Sequence, residues 1–280
     1  MEWNIDFISY EDFKKHVSET INQYGKKLES FNMEKFNKNI VDPIKMIFDK
    51  AIYNEDWKTL ISSEIFRQRD KSSSNEIGYF HQNLFSYIEN CKVPKEGWDV
   101  IYEGSEGYTL ENGNNVKRIY VELKNKHNTM NSSSSAKTYM KMQNQLLNDD
   151  NCVCFLVEVI AKKSQNIVWE TRVDGQKVSH NRIRRVSIDK FYEIITGERD
   201  AFYKICMALP NTVKEVIENR KASTVPDDTV LDEIEKVSEG FIGRDKNLGM
   251  ILSMYMLGFE TYNEFDSIFK SNTYLKNKKK

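Results

Sequence analysis

An α/β fold, a mixed sheet flanked by helices with helical additions at both ends, is predicted by three observations along the 280-residue chain. Apolar residues recur at helical spacing over the first 70 residues. The middle breaks into short apolar runs, rich in β-branched and aromatic residues, separated by polar turns. From Thr229 to Phe269 the helical spacing returns.

Each element can be justified in order. Phe13, Val17, Ile21 and Tyr24 form one helical stripe, and Phe36, Ile40, Ile44, Ile47 and Phe48 a second, which Pro43 should kink or restart. Ser72 to Asn75 reads as a polar break offering caps to a further helix through Ile77, Phe80, Leu84, Phe85 and Ile88, which ends at Pro94 to Gly97. Trp98 to Tyr102 reads as a short strand. Gly107 to Leu110 and Val116 to Lys124 read as hairpin arms around Glu111 to Asn115. A polar loop is expected from Lys126 to Ser135, then a helix from Ala136 to Leu147. The unalternating apolar run Cys152 to Ile160 has the pattern of a strand covered on both faces. A hairpin around Asp174-Gly175, a strand near Arg184 to Ile188 and helices from Asp189 to about Asn219 complete the middle. Asn219 to Asp228, with Pro226, reads as a linker. The expected organisation is therefore a helical region over 1–74 packed on the core, a core over 75–219, and an acidic helical region over 227–272. The lysine-rich tail from Lys276 to Lys280 carries no structural signal.

Composition excludes several classes. With 30% charged and 39% apolar residues the chain has a globular balance. No apolar run approaches the ~20 residues of a membrane helix. Leu248 to Phe259 is too short and holds two glycines. Glu2 and Asp6 stand where an export signal would be basic and apolar, so a cytoplasmic protein is expected. Cys91, Cys152, Cys154 and Cys206 form neither a zinc-type CxxC pair nor a disulfide framework, and buried thiols are expected.

The net charge of −1 conceals a segregation. Val116 to Gln143 carries a net +5, Lys162 to Lys190 another +5, and Asp227 to Asp266 a net −7. A basic middle with an acidic C-terminal module suits a polyanion-binding centre, although solvated basic faces would give the same count.

Phosphodiester hydrolysis needs carboxylates to hold a divalent metal and a group that acts on the attacking water. An acidic residue, any residue, then lysine at a strand end places ligand and cation on one face, because strand side chains alternate. Three such triplets occur: Asp12-Phe13-Lys14, Asp56-Trp57-Lys58 and Glu122-Leu123-Lys124. Only the third closes an expected strand, with Asp99 on the strand before it and a helix and buried strand after it. Position, not the triplet itself, selects it.

Asp99 and Glu122-x-Lys124, set in a helix, three strands, helix, strand order, resemble the PD-(D/E)XK nuclease superfamily, with Trp98 in place of the usual proline. The stretches Ile77 to Gln82 and Tyr120 to Ser133 further resemble type II restriction enzymes that cut GGNCC or GGWCC sites; the resemblance runs from about Asn75 to Glu218. It implies a restriction-endonuclease-like core, Asp99 and Glu122 as ligands of Mg²⁺, and Lys124 as the catalytic lysine. Glu76 matches a glutamate that some members add to the metal site, although an acid near a helix start is equally favoured by the dipole. It also implies a homodimer on a short palindrome in double-stranded DNA, and a DNA methyltransferase acting on the same site.

Lys126, His127, Asn128 and Asn131, next to the triplet, are candidates for contacts to phosphates or bases. His127-Asn128 also begins a histidine-metal nuclease pattern, for which His16, His81 and His180 supply no ligand at suitable spacing. Lys177, Arg182, Arg184 and Arg185, with His180, could read guanines or anchor phosphates. A repair or junction nuclease of the same fold, or a non-catalytic DNA-binding module, are the competing readings.

Overall fold

The sequence from Cys91 to Ser187 forms one mixed sheet in a computed structural model of the chain, which describes residues 3–27, 30–111, 113–218, 227–241, 243–260, 262 and 265–278. Helices α1 (Tyr10–Lys27), α2 (Met33–Asn37), α3 (Pro43–Tyr53) and α4 (Trp57–Leu84) precede it. Strands β1 (Cys91–Lys92), β2 (Val100–Thr109) and β3 (Asn115–Lys126) lead to α5 (Ser132–Asn148). Then come β4 (Cys152–Ile160), β5 (Asn166–Val173), β6 (Gln176–Ser187), α6 (Ile188–Thr196) and α7 (Ala201–Glu218). The last helices are α8 (Val230–Glu239), α9 (Lys246–Phe259), α10 (Phe265–Ser271) and α11 (Thr273–Lys278).

Strand order is β1-β2-β3-β4-β6-β5. The central strands β3, β4 and β6 run parallel, and β1, β2 and β5 add antiparallel edges. Alternation divides the sheet into two faces. Ile119, Val121, Val153, Phe155, Val157 and Val186 turn toward Phe13 of α1, Phe191 of α6 and Ile205 of α7. Cys152, Cys154, Leu156 and Ile183 turn toward Tyr139, Met142 and Leu146 of α5. Burial on both faces is why β4 reads as an unbroken apolar run.

Two compact units divide the chain: Met1–Gln23 with Ser74–Lys221, which holds the sheet, and Tyr24–Ser73 with Ala222–Lys280, which is helical. The grouping differs from the expected 1–74, 75–219 and 227–272 in placing residues 24–73 in one unit with 222–280. Phe36, Met46 and Ile61 share a core with Val230, Ile234, Met250 and Met254 from the other end of the chain. Helical spacing reveals an apolar face, not the face it will meet.

Other boundaries also move. Pro43 restarts a helix as expected: it is the first residue of α3, and Asp42 caps it by accepting from the Ile44 and Lys45 amides. The buried side of α3 is Pro43 and Met46, while Ile44 and Phe48 of the expected stripe are exposed. The polar run Ser72 to Asn75 does not break α4, since serine costs a helix little when its flanks continue. The expected strand at Trp98 and the first hairpin arm are one long strand, β2, whose pairing shifts register between Glu103 and Tyr108. The polar loop is shorter than expected: β3 runs to Lys126 and α5 begins at Ser132, with Asn131 as its cap. The β5–β6 turn is Asp174-Gly175, both at positive φ (49° and 80°), as a two-residue hairpin requires. Asn112, the linker residues 219–226 and the last residues of the lysine tail lie outside the described residues.

Candidate active site

The parallel register brings the candidate residues to one end of the sheet. Glu122 pairs with Leu156 and Lys124 with Glu158 on β4, and Leu156 and Glu158 pair with Arg185 and Ser187 on β6. All lie on the α5 face, near the carboxyl ends of the three parallel strands. Asp99 stands just before β2, opposite Glu122: Val100 pairs with Val121, and the Asp99 amide donates to the Val121 carbonyl at 3.0 Å. The Asp99 carboxylate accepts from the Leu123 amide through Oδ2 at 2.7 Å, which fixes its direction. Lys124 Nζ donates to Glu122 Oε1 at 2.7 Å. The structure therefore brings the three sequence-predicted residues together.

The two carboxylates sit in different electrostatic surroundings. Burial pushes the Asp99 carboxyl above its ordinary value; the Leu123 amide opposes this, and the charge of Glu122 adds to it. Burial also acts upward on Glu122, but hydrogen bonds and charge from Lys124 and Lys141 outweigh it and hold that carboxyl below its ordinary value.

Lys141 is a site residue that the sequence did not single out. It comes from α5 and donates from Nζ to Glu122 Oε2 at 2.7 Å and to the Gly97 carbonyl, with Nζ 4.2 Å from the centre of the Trp98 ring. Nothing in a helix sequence marks which exposed-looking lysine will reach a strand. Glu158 was also missed, and it did leave a signal, being the single charge within the apolar run 152–160. It is 1% exposed and ion-paired with Arg185, which also donates to the His127 carbonyl at 2.8 Å.

The remaining candidates are scattered. Glu76 lies beside a cleft with His16, Glu19 and Tyr79, and among the described residues no group of three His, Cys, Asp or Glu is placed to hold a metal. It therefore does not join Asp99 and Glu122. Lys126 and Asn128 are exposed and His127 half-buried in the turn after β3, beside the site. Asn131 is committed to capping α5, accepting from the Ser134 amide at 2.8 Å. Alternation puts Arg184 on the opposite face from Glu122, where it is 3% exposed and bonded to Asn166 and Glu111, so it is no surface reader of DNA. Arg182 shares that parity and donates to the Asp150 carbonyl at 2.7 Å. Lys177 pairs with Glu170 near the β5–β6 turn, beyond a shift in the pairing register of those strands. Of these four, Arg185 is the one bonded beside the site, to Glu158 and to the His127 carbonyl.

Two half-buried carboxylates at the end of a parallel sheet fit a hard divalent cation, which commonly takes one or two protein carboxylates and keeps its other positions for water and substrate oxygens. The fold and this constellation define a restriction-endonuclease-like protein. The Eco47II restriction endonuclease family model matches residues 5–218, and the chain belongs to that family. The match starts well before Asn75, so it takes in the N-terminal helices. The chain is 31% identical over 226 residues to type II restriction enzyme Sau96I of Staphylococcus aureus, covering 78% of this chain and 83% of that protein. It is 28% identical over 239 residues to type II restriction enzyme Eco47II of Escherichia coli, covering 80% and 93%. No described helix is long and apolar enough to cross a membrane.

Proposed function

We propose that this restriction endonuclease hydrolyses phosphodiester bonds in double-stranded DNA at a short palindromic site, with Asp99 and Glu122 holding Mg²⁺ and Lys124 as the catalytic lysine. The observation that carries this reading is the convergence of Asp99, Glu122 and Lys124 at one end of the sheet. When bound, the cation would polarise the scissile phosphate and acidify a water molecule. Asp99 is aimed by the Leu123 amide, so its free oxygen is held ready as a ligand. Glu122 stays ionised through its lysine partners, so it needs no proton loss before it can act. Lys124 lies two residues along the same face, where its ammonium can stabilise negative charge on phosphate and orient the attacking water. The turn 126–128, tied down through the His127 carbonyl by Arg185, would face the DNA backbone.

A palindrome is met by a twofold protein, so a homodimer is the expected assembly, with a methyltransferase of the same specificity protecting host DNA. The site is expected to be GGNCC-like, from the likeness of Ile77 to Gln82 and Tyr120 to Ser133 to that group of enzymes. Incubating the purified protein with plasmid and Mg²⁺ tests the reading. Discrete fragments ending within GGNCC-type sequences support it; random nicking points to a repair-type nuclease, and intact plasmid to a binding module.

A further inference from the structure

Glu122 has both oxygens occupied by lysines. Oε1 accepts from Lys124 and Oε2 from Lys141, each at 2.7 Å. Each Glu122 oxygen keeps a second lone pair, but a divalent cation ligated at about 2.0–2.1 Å would sit close to two ammonium groups, and that repulsion favours moving one lysine away. Lys124 is on the same strand as Glu122, which is its one side-chain partner among the described residues, whereas Lys141 comes from a different element and has other holds. It bonds the Gly97 carbonyl and lies over the Trp98 ring, and these two residues lead directly into Asp99. Releasing Oε2 would leave the Lys141 ammonium on a carbonyl and an aromatic face, both suited to a cation.

We propose that Lys141 is a built-in placeholder for the metal: it holds Glu122 aimed and neutralised in the free protein, and swings back onto Gly97 and Trp98 when a divalent cation binds. Lys141 is thus a positioning residue, acting through Glu122. Once displaced it becomes an unpaired cation beside the site, available to a DNA phosphate. This inference rests on the reading of Asp99 and Glu122 as metal ligands.

The test is direct Mg²⁺ binding to the DNA-free protein, followed by calorimetry, with no cleavage involved. Lys141→Met removes the competing charge and keeps the aliphatic length, so Mg²⁺ should bind about tenfold more tightly. Lys141→Arg keeps the charge and should bind as wild type does. In wild type, the NMR signal of the Lys141 ε-methylene, assigned by its loss in Lys141→Arg, should shift on adding Mg²⁺; this readout stands even if Lys141→Met folds poorly. Equal or weaker Mg²⁺ affinity in Lys141→Met, or an unmoved Lys141 signal while Mg²⁺ binds, would overturn the proposal. Failure of the underlying reading looks different: Mg²⁺ binding absent from wild type, or unchanged in Asp99→Ala and Glu122→Ala.

Discussion

The same three-residue pattern, acid, any residue, lysine, occurs in β3 and at the start of α4 with opposite results. In β3, Glu122 and Lys124 share a face, and their side chains meet at 2.7 Å. In Asp56-Trp57-Lys58 the backbone turns about 200° between the first and third residues, so the side chains diverge. Asp56 caps α4, accepting from the Thr59 amide at 2.7 Å, and that bond holds its carboxyl below the ordinary value; Lys58 is exposed. Asp12-Phe13-Lys14 behaves likewise in α1: Phe13 is buried, Asp12 accepts from Ser9, and Lys14 pairs with Glu215. A catalytic motif is thus a statement about backbone period as much as residue type. What distinguishes β3 is a facing carboxylate, Asp99, beside its acid and lysine.

The comparison can be broken at either end. The largest effect is expected from the β3 site itself. Asp99→Ala or Glu122→Ala should lower single-turnover DNA cleavage by at least roughly 10³-fold, while DNA binding is kept or tightened because negative charge near phosphate is removed. Cleavage within tenfold of wild type in either variant would remove that residue from the site. Next comes the support beneath it. Glu158→Gln leaves Arg185 without its charge partner and should cost roughly 2–4 kcal/mol in a denaturant titration; an unchanged midpoint would show that the pair does not hold the turn.

Smaller effects separate the two carboxylates. Asp99, raised by burial and by Glu122, carries its charge at a cost near neutral pH. Metal-free Asp99→Asn should therefore be more stable by about 1 kcal/mol, because the amide oxygen can still accept from Leu123. Glu122, lowered through its two lysines, contributes stability above the ordinary carboxylate range that is lost as pH falls through its folded value. Glu122→Gln should accordingly destabilise by about 1 kcal/mol at neutral pH, with the difference from wild type shrinking on acidification. Thermal midpoints of the two variants moving in the same direction at neutral pH would contradict these assignments. The smallest effect closes the comparison: Lys58→Ala, in the α4 triplet, should cleave as wild type does in the same assay.

Much of the sheet was legible because its residues follow local rules. Period-two alternation, the Asp174-Gly175 turn and the two-sided apolar run of β4 each mark their element without reference to the rest of the chain. The candidate site was legible for the same reason: Glu122 and Lys124 are neighbours in sequence, and Asp99 stands just before the strand that pairs with theirs. Lys141 was not, since its reach to Glu122 depends on how α5 lies across the sheet. The arginines of β6 misled because their charge was counted without their parity; alternation alone would have placed Arg184 opposite Arg185. The sharing of a core by residues 31–65 and 230–257 is a long-range packing choice that no local pattern encodes.

The central claim is that β3 carries the chemistry, with Lys124 acting on phosphate and water and Asp99 and Glu122 on the metal. The most direct measurement pairs two assays on Lys124→Ala: single-turnover cleavage of a plasmid under Mg²⁺, and Mg²⁺ binding by calorimetry. The account predicts cleavage reduced by roughly 10²–10³-fold or more with Mg²⁺ affinity largely kept. Cleavage near the wild-type rate would contradict it.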